Sequence, residues 1–208
     1  MQRRHRGHEE SWLLSYADLI TNLLLFFVVL LSAANLSKGK MQQIAKSISG
    51  EESPESLESI QRKIDQEIAA KHLQDMVHST LTEDGLEVRL DSGVVFDVGK
   101  ADIKPEVEPV LMSMLQVLGP YSKKYNFAVE GHTDSTPLVN GSVYRTNWEL
   151  SSARAIVVRQ RLEESGVDRS RIRVEGYADT RPLPESELAG LKPEERNAKL
   201  RRVVVRIY

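Results

Sequence analysis

The sequence of 208 residues contains no cysteine. Disulfide bonds and cysteine-ligated metal sites are therefore excluded, and cysteine usage leaves the cellular compartment open. Excess charge of either sign is also missing, since 28 basic and 30 acidic residues give a formal net charge of −2. Nucleic-acid-binding domains carry a clear excess of basic residues, so we expect no nucleic-acid partner.

Long hydrophobic runs are scarce, and the one that reaches membrane length extends from Trp12 to Ala34 as WLLSYADLITNLLLFFVVLLSAA. As an α-helix rising about 1.5 Å per residue, it would span roughly 34 Å, enough to cross a bilayer core. The run is too long for the core of a signal peptide, and the SAANLSK at its C-terminal end is a poor cleavage site. We therefore predict a retained transmembrane helix over residues 12–34.

The basic residues around this span do not fix its orientation by number. Three lie before it and three lie after it, at Arg3, Arg4, Arg6, Lys38, Lys40 and Lys46. Long C-terminal domains cross the membrane largely regardless of flanking charge. We therefore expect residues 1–11 to be a cytoplasmic tail and the C-terminal part to lie on the outer side of the membrane.

A polar stripe runs along the predicted membrane helix. At 100° per residue, Ser15, Asp18 and Asn22 fall on one face with Ser11. Serine and asparagine suit contacts with a second membrane helix. An ionised carboxylate in the membrane is costly, which favours a function for Asp18 as an acceptor of protons or sodium ions. A lone helix cannot enclose an ion path, so this interpretation requires partner helices from another polypeptide.

Residues 35–83 have the composition of a connector. The segment 49–59, SGEESPESLES, is acidic and broken by Pro54, which indicates a flexible break. Apolar residues at helical spacing predict a short helix over 38–49 and an amphipathic helix over 56–81. These helices either pack on a folded domain or pair as a coiled coil in a dimer, or the first is a mobile plug that covers the ion path. Periodicity alone favours packing or pairing over a plug. Fully extended, the connector would reach on the order of 165 Å.

Strand and helix patterns alternate along residues 84–208. Strands are predicted over 86–90, 127–130, 172–177 and 202–207, with helices after Pro105 and over 147–164. A long polar loop separates the last two strands. The order β-α-β-α-β-β predicts an α/β sandwich with helices on one side of a mixed sheet.

Polar residues of complementary charge concentrate in the middle of this domain. Asp134 follows a strand, and Asn147, Ser151 and Arg154 share one face of the next helix at i, i+4 and i+7. A carboxylate and a guanidinium held together can bind a zwitterion, since each takes the group of opposite charge. A simple Asp134–Arg154 salt bridge between loop and helix is the alternative that pairing alone favours.

The same region offers little for catalysis or metal binding. His132 is the only nearby imidazole, and Ser151 lacks the glycine elbow of a hydrolase nucleophile. We therefore expect neither an enzyme nor a bound metal or cofactor.

Two motifs carry a family resemblance. GHTD at residues 131–134 and N-x-x-L-S-x-x-R-A at residues 147–155 resemble the peptidoglycan-binding domain of the OmpA/Pal type, over roughly residues 84–208. The resemblance implies that Asp134 and Arg154 hold the zwitterionic centre of diaminopimelate in the peptide stem. It also implies a supporting pocket made of Thr133, Asn147, Leu150 and Ser151.

One departure from that family precedes the last strand. The family usually has Asn-Arg-Arg-Val there, whereas this chain has Leu200-Arg201-Arg202-Val203. Arg201 and Arg202 are therefore carried over as peptidoglycan-binding residues by position, without the asparagine.

The N-terminal text SWLLSYADLITNLLLFFVVLLS resembles the B subunit of flagellar motor stators, the MotB/PomB type. The resemblance places Asp18 at the ion-carrying aspartate, and KMQQIAKSI resembles the plug segment that follows the span. It implies two copies of this chain, a four-span A-type partner, and a transported proton or sodium ion. A related non-flagellar ion-driven motor, such as a phage-defence complex, and a structural peptidoglycan tether remain as alternatives.

Overall fold

The computed structural model describes residues 11–34, 55–138 and 142–208. The chain divides into two compact units, residues 1–48 and residues 49–208. The predicted plug helix over 38–49 and most of the predicted N-terminal tail lie outside the described residues.

The described part of the first unit is a single helix, α1 (Ser11–Ala34). Its stretch Trp12–Leu30 is long and apolar enough to cross a membrane, and no other helix in the described ranges is. The leucine, phenylalanine and valine side chains of Trp12–Leu30 are exposed, as for Leu24 and Phe26. Such a surface is stable in lipid rather than in water, and the helix agrees with the span expected from the sequence.

The second unit is a mixed five-stranded sheet with helices. Its elements are α2 (Leu57–Ala70), β1 (Val77–Thr82), β2 (Gly85–Asp91), α3 (Ser92–Val95), α4 (Glu108–Leu115), β3 (Phe127–His132), α5 (Asn147–Glu164), β4 (Ile172–Gly176), α6 (Glu185–Leu188), α7 (Pro193–Leu200) and β5 (Arg202–Ile207). The strand order is β1-β2-β5-β3-β4, with β3 and β4 parallel and the other neighbours antiparallel. The predicted α/β fold class is confirmed.

The hydrophobic core lies on one face of this sheet. Val88, Val205 and Val129 are aligned across β2, β5 and β3, and all three are fully buried. Because successive strand residues face opposite sides, every second residue joins this layer. Helices α2, α4 and α5 supply the other half of the core.

The described residues before Asp84, from residue 55 onward, are not a connector. Helix α2 places Ile60, Ile64 and Ile68 in the core at 0, 1 and 6% exposure. The next residues form the edge strand β1, which pairs antiparallel with β2 from Val77 to Thr82. Of the amphipathic helix expected over 56–81, the structure forms Leu57–Ala70. Its extension to residue 81 and its place inside a connector are wrong, because the folded unit includes these residues.

The end of α2 explains why the helix stops short of β1. His72 adopts a left-handed conformation with φ of 55°. Its N–H donates to the carbonyl of Ala69, and the N–H of Leu73 donates to the carbonyl of Ile68. These two bonds form a Schellman motif, which closes a helix and turns the chain away from its axis.

The opposite face of the sheet carries charged side chains under the segment 177–201. Arg206 donates to Glu130 at 2.8 Å and lies 2.9 Å from Glu87 on the neighbouring strand. His132 is buried beside them, with its ring stacked on Tyr177. Ion pairs between neighbouring strands thus accompany buried apolar residues such as Val204 on this side.

Candidate functional site

Asp134 lies just beyond the end of β3, next to the start of α5. At Gly131, a Cβ atom would collide with the carbonyl oxygen of Ser151. Only glycine permits this approach of strand to helix, which brings the first turns of α5 against the residues that follow β3. The helix begins at a capped end, since Thr146 accepts a hydrogen bond from the N–H of Glu149.

Asn147 fixes the loop that carries Asp134. Its Nδ2 donates to the carbonyl of Asp134 at 3.3 Å and to that of Thr136 at 3.0 Å. The N–H of Thr136 in turn donates to Oδ1 of Asp134 at 3.0 Å. The carboxylate is therefore held in a defined direction before any ligand arrives.

Ser151 and Thr133 join this site to the segment after β4. Oγ of Ser151 accepts from the N–H of Ala178 at 3.2 Å, and the N–H of Thr133 donates to the carbonyl of Ala178 at 2.8 Å. Leu150 is buried beside them at 3% exposure. Oγ1 of Thr133 is buried without a hydrogen-bond partner, so a polar atom in this region is left unsatisfied.

Arg154 is a buried guanidinium without a carboxylate partner among the described residues. Its Nε donates to the carbonyl of Lys100 at 2.9 Å, and its Nη2 donates to that of Asp97 at 3.2 Å. Its Cζ lies 5.1 Å from the centre of the Phe96 ring, within range of a cation–π contact. The side chain is thus oriented by neutral groups.

Burial is the main cause that lowers the pKa of Arg154 to about 10, and the charge of Arg201 acts in the same direction. Tyr144 and Asp134 act in the opposite direction. Arg154 still carries its charge at neutral pH, but burial without a directly paired carboxylate among the described residues makes that charge costly. A carboxylate from a ligand would relieve this cost.

Asp134 has a different partner from the one that pairing in the sequence favoured. Nη1 of Arg201 lies 2.5 Å from Oδ2 of Asp134. Asp134 is buried, whereas the Arg201 side chain keeps 38% of its surface exposed. The structural salt bridge of Asp134 is therefore with Arg201, not with Arg154.

Arg202 faces away from Asp134 despite its neighbouring position. Its Nη1 donates to the carbonyl of Leu200 at 3.1 Å, and its Nη2 donates to that of Arg181 at 2.9 Å. Burial first, and then Arg89, lower the pKa of Arg202 to about 10. Alternation along β5 places Arg202 on the charged face of the sheet, where its guanidinium holds the overlying segment through the carbonyl of Arg181.

In the first unit, Asp18 has a polar neighbour on its own helix. Nδ2 of Asn22 lies 3.4 Å from Oδ1 of Asp18, one turn away. The predicted polar stripe therefore contains at least one internal contact between these two side chains.

Sequence reasoning missed the groups that orient Arg154. The carbonyls of Asp97 and Lys100 belong to the main chain, which every residue type supplies, so no residue pattern marks them. Phe96 could have been recognised as a neighbour of a buried charge, because it is a large aromatic residue just before a charged loop. Ala178 also escaped notice, since its role is likewise played by its backbone.

Comparison with known proteins accounts for both parts of the chain. The model of the OmpA family matches residues 95–196. The model described as membrane MotB of the proton-channel complex MotA/MotB matches residues 1–51. The chain is a MotB-type protein with a C-terminal OmpA-like domain. This type is not an enzyme family.

Several MotB-type and wall-anchoring proteins are similar to this chain. Motility protein B of Bacillus subtilis (strain 168) is 27% identical, over 99% of this chain and 95% of its own length. A MotB-like protein from Desulfovibrio vulgaris shares the fold at 19% identity with a TM-score of 0.63, over 73% of this chain and 90% of that one. The cell wall anchor of the T6SS from Pseudomonas aeruginosa is 27% identical with a TM-score of 0.58, over 70% of this chain and 96% of that one.

Proposed function

We propose that this chain is the B-type subunit of a flagellar motor stator. It crosses the inner membrane once through α1, and its periplasmic domain is anchored to peptidoglycan. Two copies join a four-span A-type partner and enclose an ion path. The observation that carries the proposal is the combination, on one chain, of a membrane-length helix with a single carboxylate and an OmpA-like domain.

Asp18 is the proposed ion carrier. Binding a proton or sodium ion neutralises the carboxylate and removes its desolvation cost, and release on the inner side restores the charge. Each ion that crosses releases about 2.3 kcal/mol per 100 mV of membrane potential. Asn22, which lies one turn away on the same face, supports the orientation of the Asp18 carboxylate. The energy is delivered as motion of one set of subunits against the other.

Arg154 and Asp134 are the proposed wall anchor. The buried charge of Arg154 lacks an anion, and its Nε and Nη2 are already aligned by two loop carbonyls. The carboxylate of the diaminopimelate centre supplies that anion, and the neighbouring ammonium binds Asp134. Attachment at this site holds the subunit still, so that torque reaches the partner.

The tether between membrane and wall domain is shorter than the sequence alone indicated. The folded unit includes α2 from Leu57 onward, which leaves residues 35–54 to link the two described parts. Fully extended, these residues reach at most roughly 70 Å. A longer reach would require α2 and β1 to leave the core.

The ion-carrier role is tested by complementing the motility of a strain that lacks its own B subunit. Asp18→Asn should abolish swimming in soft agar, because the amide cannot exchange a cation. Ser15→Ala, on the same face but without a titrating group, should keep it. If Asp18→Asn cells swim like wild type, the stator proposal is wrong.

The anchor role is tested by sedimentation with purified peptidoglycan. Arg154→Ala should stay in the supernatant. Arg161→Ala, on the same helix but paired with Glu108 and Glu164, should pellet like wild type. A circular dichroism spectrum confirms that both variants are folded. Retention of Arg154→Ala in the pellet would contradict the anchor assignment.

A structural wall tether is the second candidate. The similarity to the cell wall anchor of the T6SS favours it, since anchoring to the cell wall is the role of a tether. The same Asp18→Asn variant separates the two functions, because a tether does not need a titrating group in its membrane helix. Swimming speed as a function of sodium concentration distinguishes a sodium-driven motor from a proton-driven one.

A further inference from the structure

A second guanidinium occupies the place where the proposed ligand's ammonium would bind. Nη1 of Arg201 lies 2.5 Å from Oδ2 of Asp134. Oδ1 of the same carboxylate accepts from the N–H of Thr136. Both oxygens of Asp134 are therefore engaged in the unliganded site.

The backbone of Arg201 is held by hydrogen bonds, whereas its side chain is partly exposed to solvent. Its N–H donates to the carbonyl of Asn197 at 3.1 Å, and its own carbonyl accepts from the N–H of Ser92 at 3.0 Å. The side chain is 38% exposed and reaches the buried carboxylate from the solvent side. A rotation of this side chain uncovers Asp134 without any change in the strand or helix.

The charges of the site are unequal. Arg154 and Arg201 contribute two positive charges, against one negative charge from Asp134. The two guanidiniums are close enough that Arg201 lowers the pKa of Arg154. A ligand carboxylate is attracted by both, whereas a ligand ammonium meets a competitor for its only anionic partner.

We propose that Arg201 is a displaceable occupant of the ammonium subsite: it covers Asp134 in the unliganded protein and leaves when the diaminopimelate ammonium binds. This inference rests on the proposed wall-binding function. It makes Arg201 a specificity-determining residue. A stem peptide whose diaminopimelate amine is acylated has no positive charge at that position and cannot displace Arg201. The ion pair between Arg201 and Asp134 then remains intact.

The test measures binding of two synthetic peptides to the full chain in detergent micelles by calorimetry. One is L-Ala-γ-D-Glu-meso-diaminopimelate with a free amine at the distal centre, and the other is the same tripeptide acetylated at that amine. Arg201→Gln removes the competing charge. Arg196→Gln is the matched control, because Arg196 is also 38% exposed and pairs with a carboxylate, that of Glu185, at 2.8 Å.

Arg201→Gln should bind the free-amine tripeptide about twofold to fivefold more tightly than wild type, since a partly exposed ion pair no longer has to be broken. It should not tighten binding of the acetylated tripeptide, and Arg196→Gln should change neither affinity. If Arg201→Gln weakens or does not change binding of the free-amine tripeptide, the displacement is wrong while wall binding stands. If wild type binds neither tripeptide, the displacement and the wall-binding function are both wrong.

Discussion

Helix α2 offers a direct test of where the wall-binding domain begins. Ile64 is 1% exposed and packs in the core between Ile60 and Ile68, which lie one turn away on either side. Ile64→Ala deletes buried methyl and methylene groups and leaves a cavity. Such a change costs about 2–5 kcal/mol in the free energy of unfolding, and the near-complete burial of Ile64 places it in that range.

The assay is urea unfolding of a fragment comprising residues 55–208, which contains every buried core residue of the second unit. With a slope of about 1–3 kcal/mol per molar urea, the loss lowers the midpoint by roughly 1 M or more. Gln66→Ala is the matched control on the exposed side of the same helix. Surface changes of this kind stay within about 0.5 kcal/mol.

Equal destabilisation by Ile64→Ala and Gln66→Ala would contradict the burial of Ile64 in the core. Residues 55–83 would then be a connector after all. A fragment that starts at Asp84 provides a second measurement, because it lacks both α2 and the edge strand β1. It should lose cooperative unfolding, since the core face of β2 is then uncovered.

Two further predictions concern the same fragment. His72→Gly should raise the free energy of unfolding by about 1 kcal/mol, because glycine adopts the left-handed φ of 55° without steric cost; His72→Ala should give no gain, and an equal gain would contradict the helix-end argument. Burial opposes ionisation of Glu130, but contacts with His132 and Arg206 outweigh it and lower the pKa from 4.5 to about 2. Ionised Glu130 therefore adds stability, at most about 3 kcal/mol, that is present above pH 4.5 and lost as the pH falls toward about 2. The stability difference between wild type and Glu130→Gln should shrink over that interval, and a constant difference would refute this linkage.

Elements with strong periodicity could be predicted from the sequence almost to the residue. Helix α5 was expected over 147–164 and spans Asn147–Glu164, and β5 was expected over 202–207 and spans Arg202–Ile207. Both carry buried faces whose spacing differs clearly between helix and strand. The fold class followed from their order.

Strand β1 could not be predicted in this way. VHSTLT alternates weakly, because it lies at the edge of the sheet and only Val77 is fully covered. The apolar residues of the neighbouring helix α2 recur at helical spacing, but no residue type in the sequence marks where the helix ends. His72 ends it through a left-handed backbone conformation, for which a glycine would be the usual residue. Helices α6 and α7 could not be predicted within the long polar loop either. Both are short and largely exposed, so they lack a buried face with a recognisable apolar spacing.

The candidate site was predictable in its residue types but not in its pairing. The sequence indicated that Asp134 and Arg154 lie near each other, yet the structure pairs Asp134 with Arg201 and orients Arg154 with carbonyls. Side chains that are distant in the sequence meet only through the folded sheet, and backbone acceptors leave no trace in the residue pattern. Arg202 shows the same limit, because strand alternation turns it to the opposite face.

The central structural claim is that the buried guanidinium of Arg154 forms its ion pair with the carboxylate of the ligand. The most direct measurement compares wild-type affinity for L-Ala-γ-D-Glu-meso-diaminopimelate with that for the same tripeptide carrying a carboxamide in place of the distal carboxylate. Loss of a charge-assisted partner for a buried guanidinium should weaken binding by at least about tenfold. Equal affinity for the two tripeptides would contradict the account.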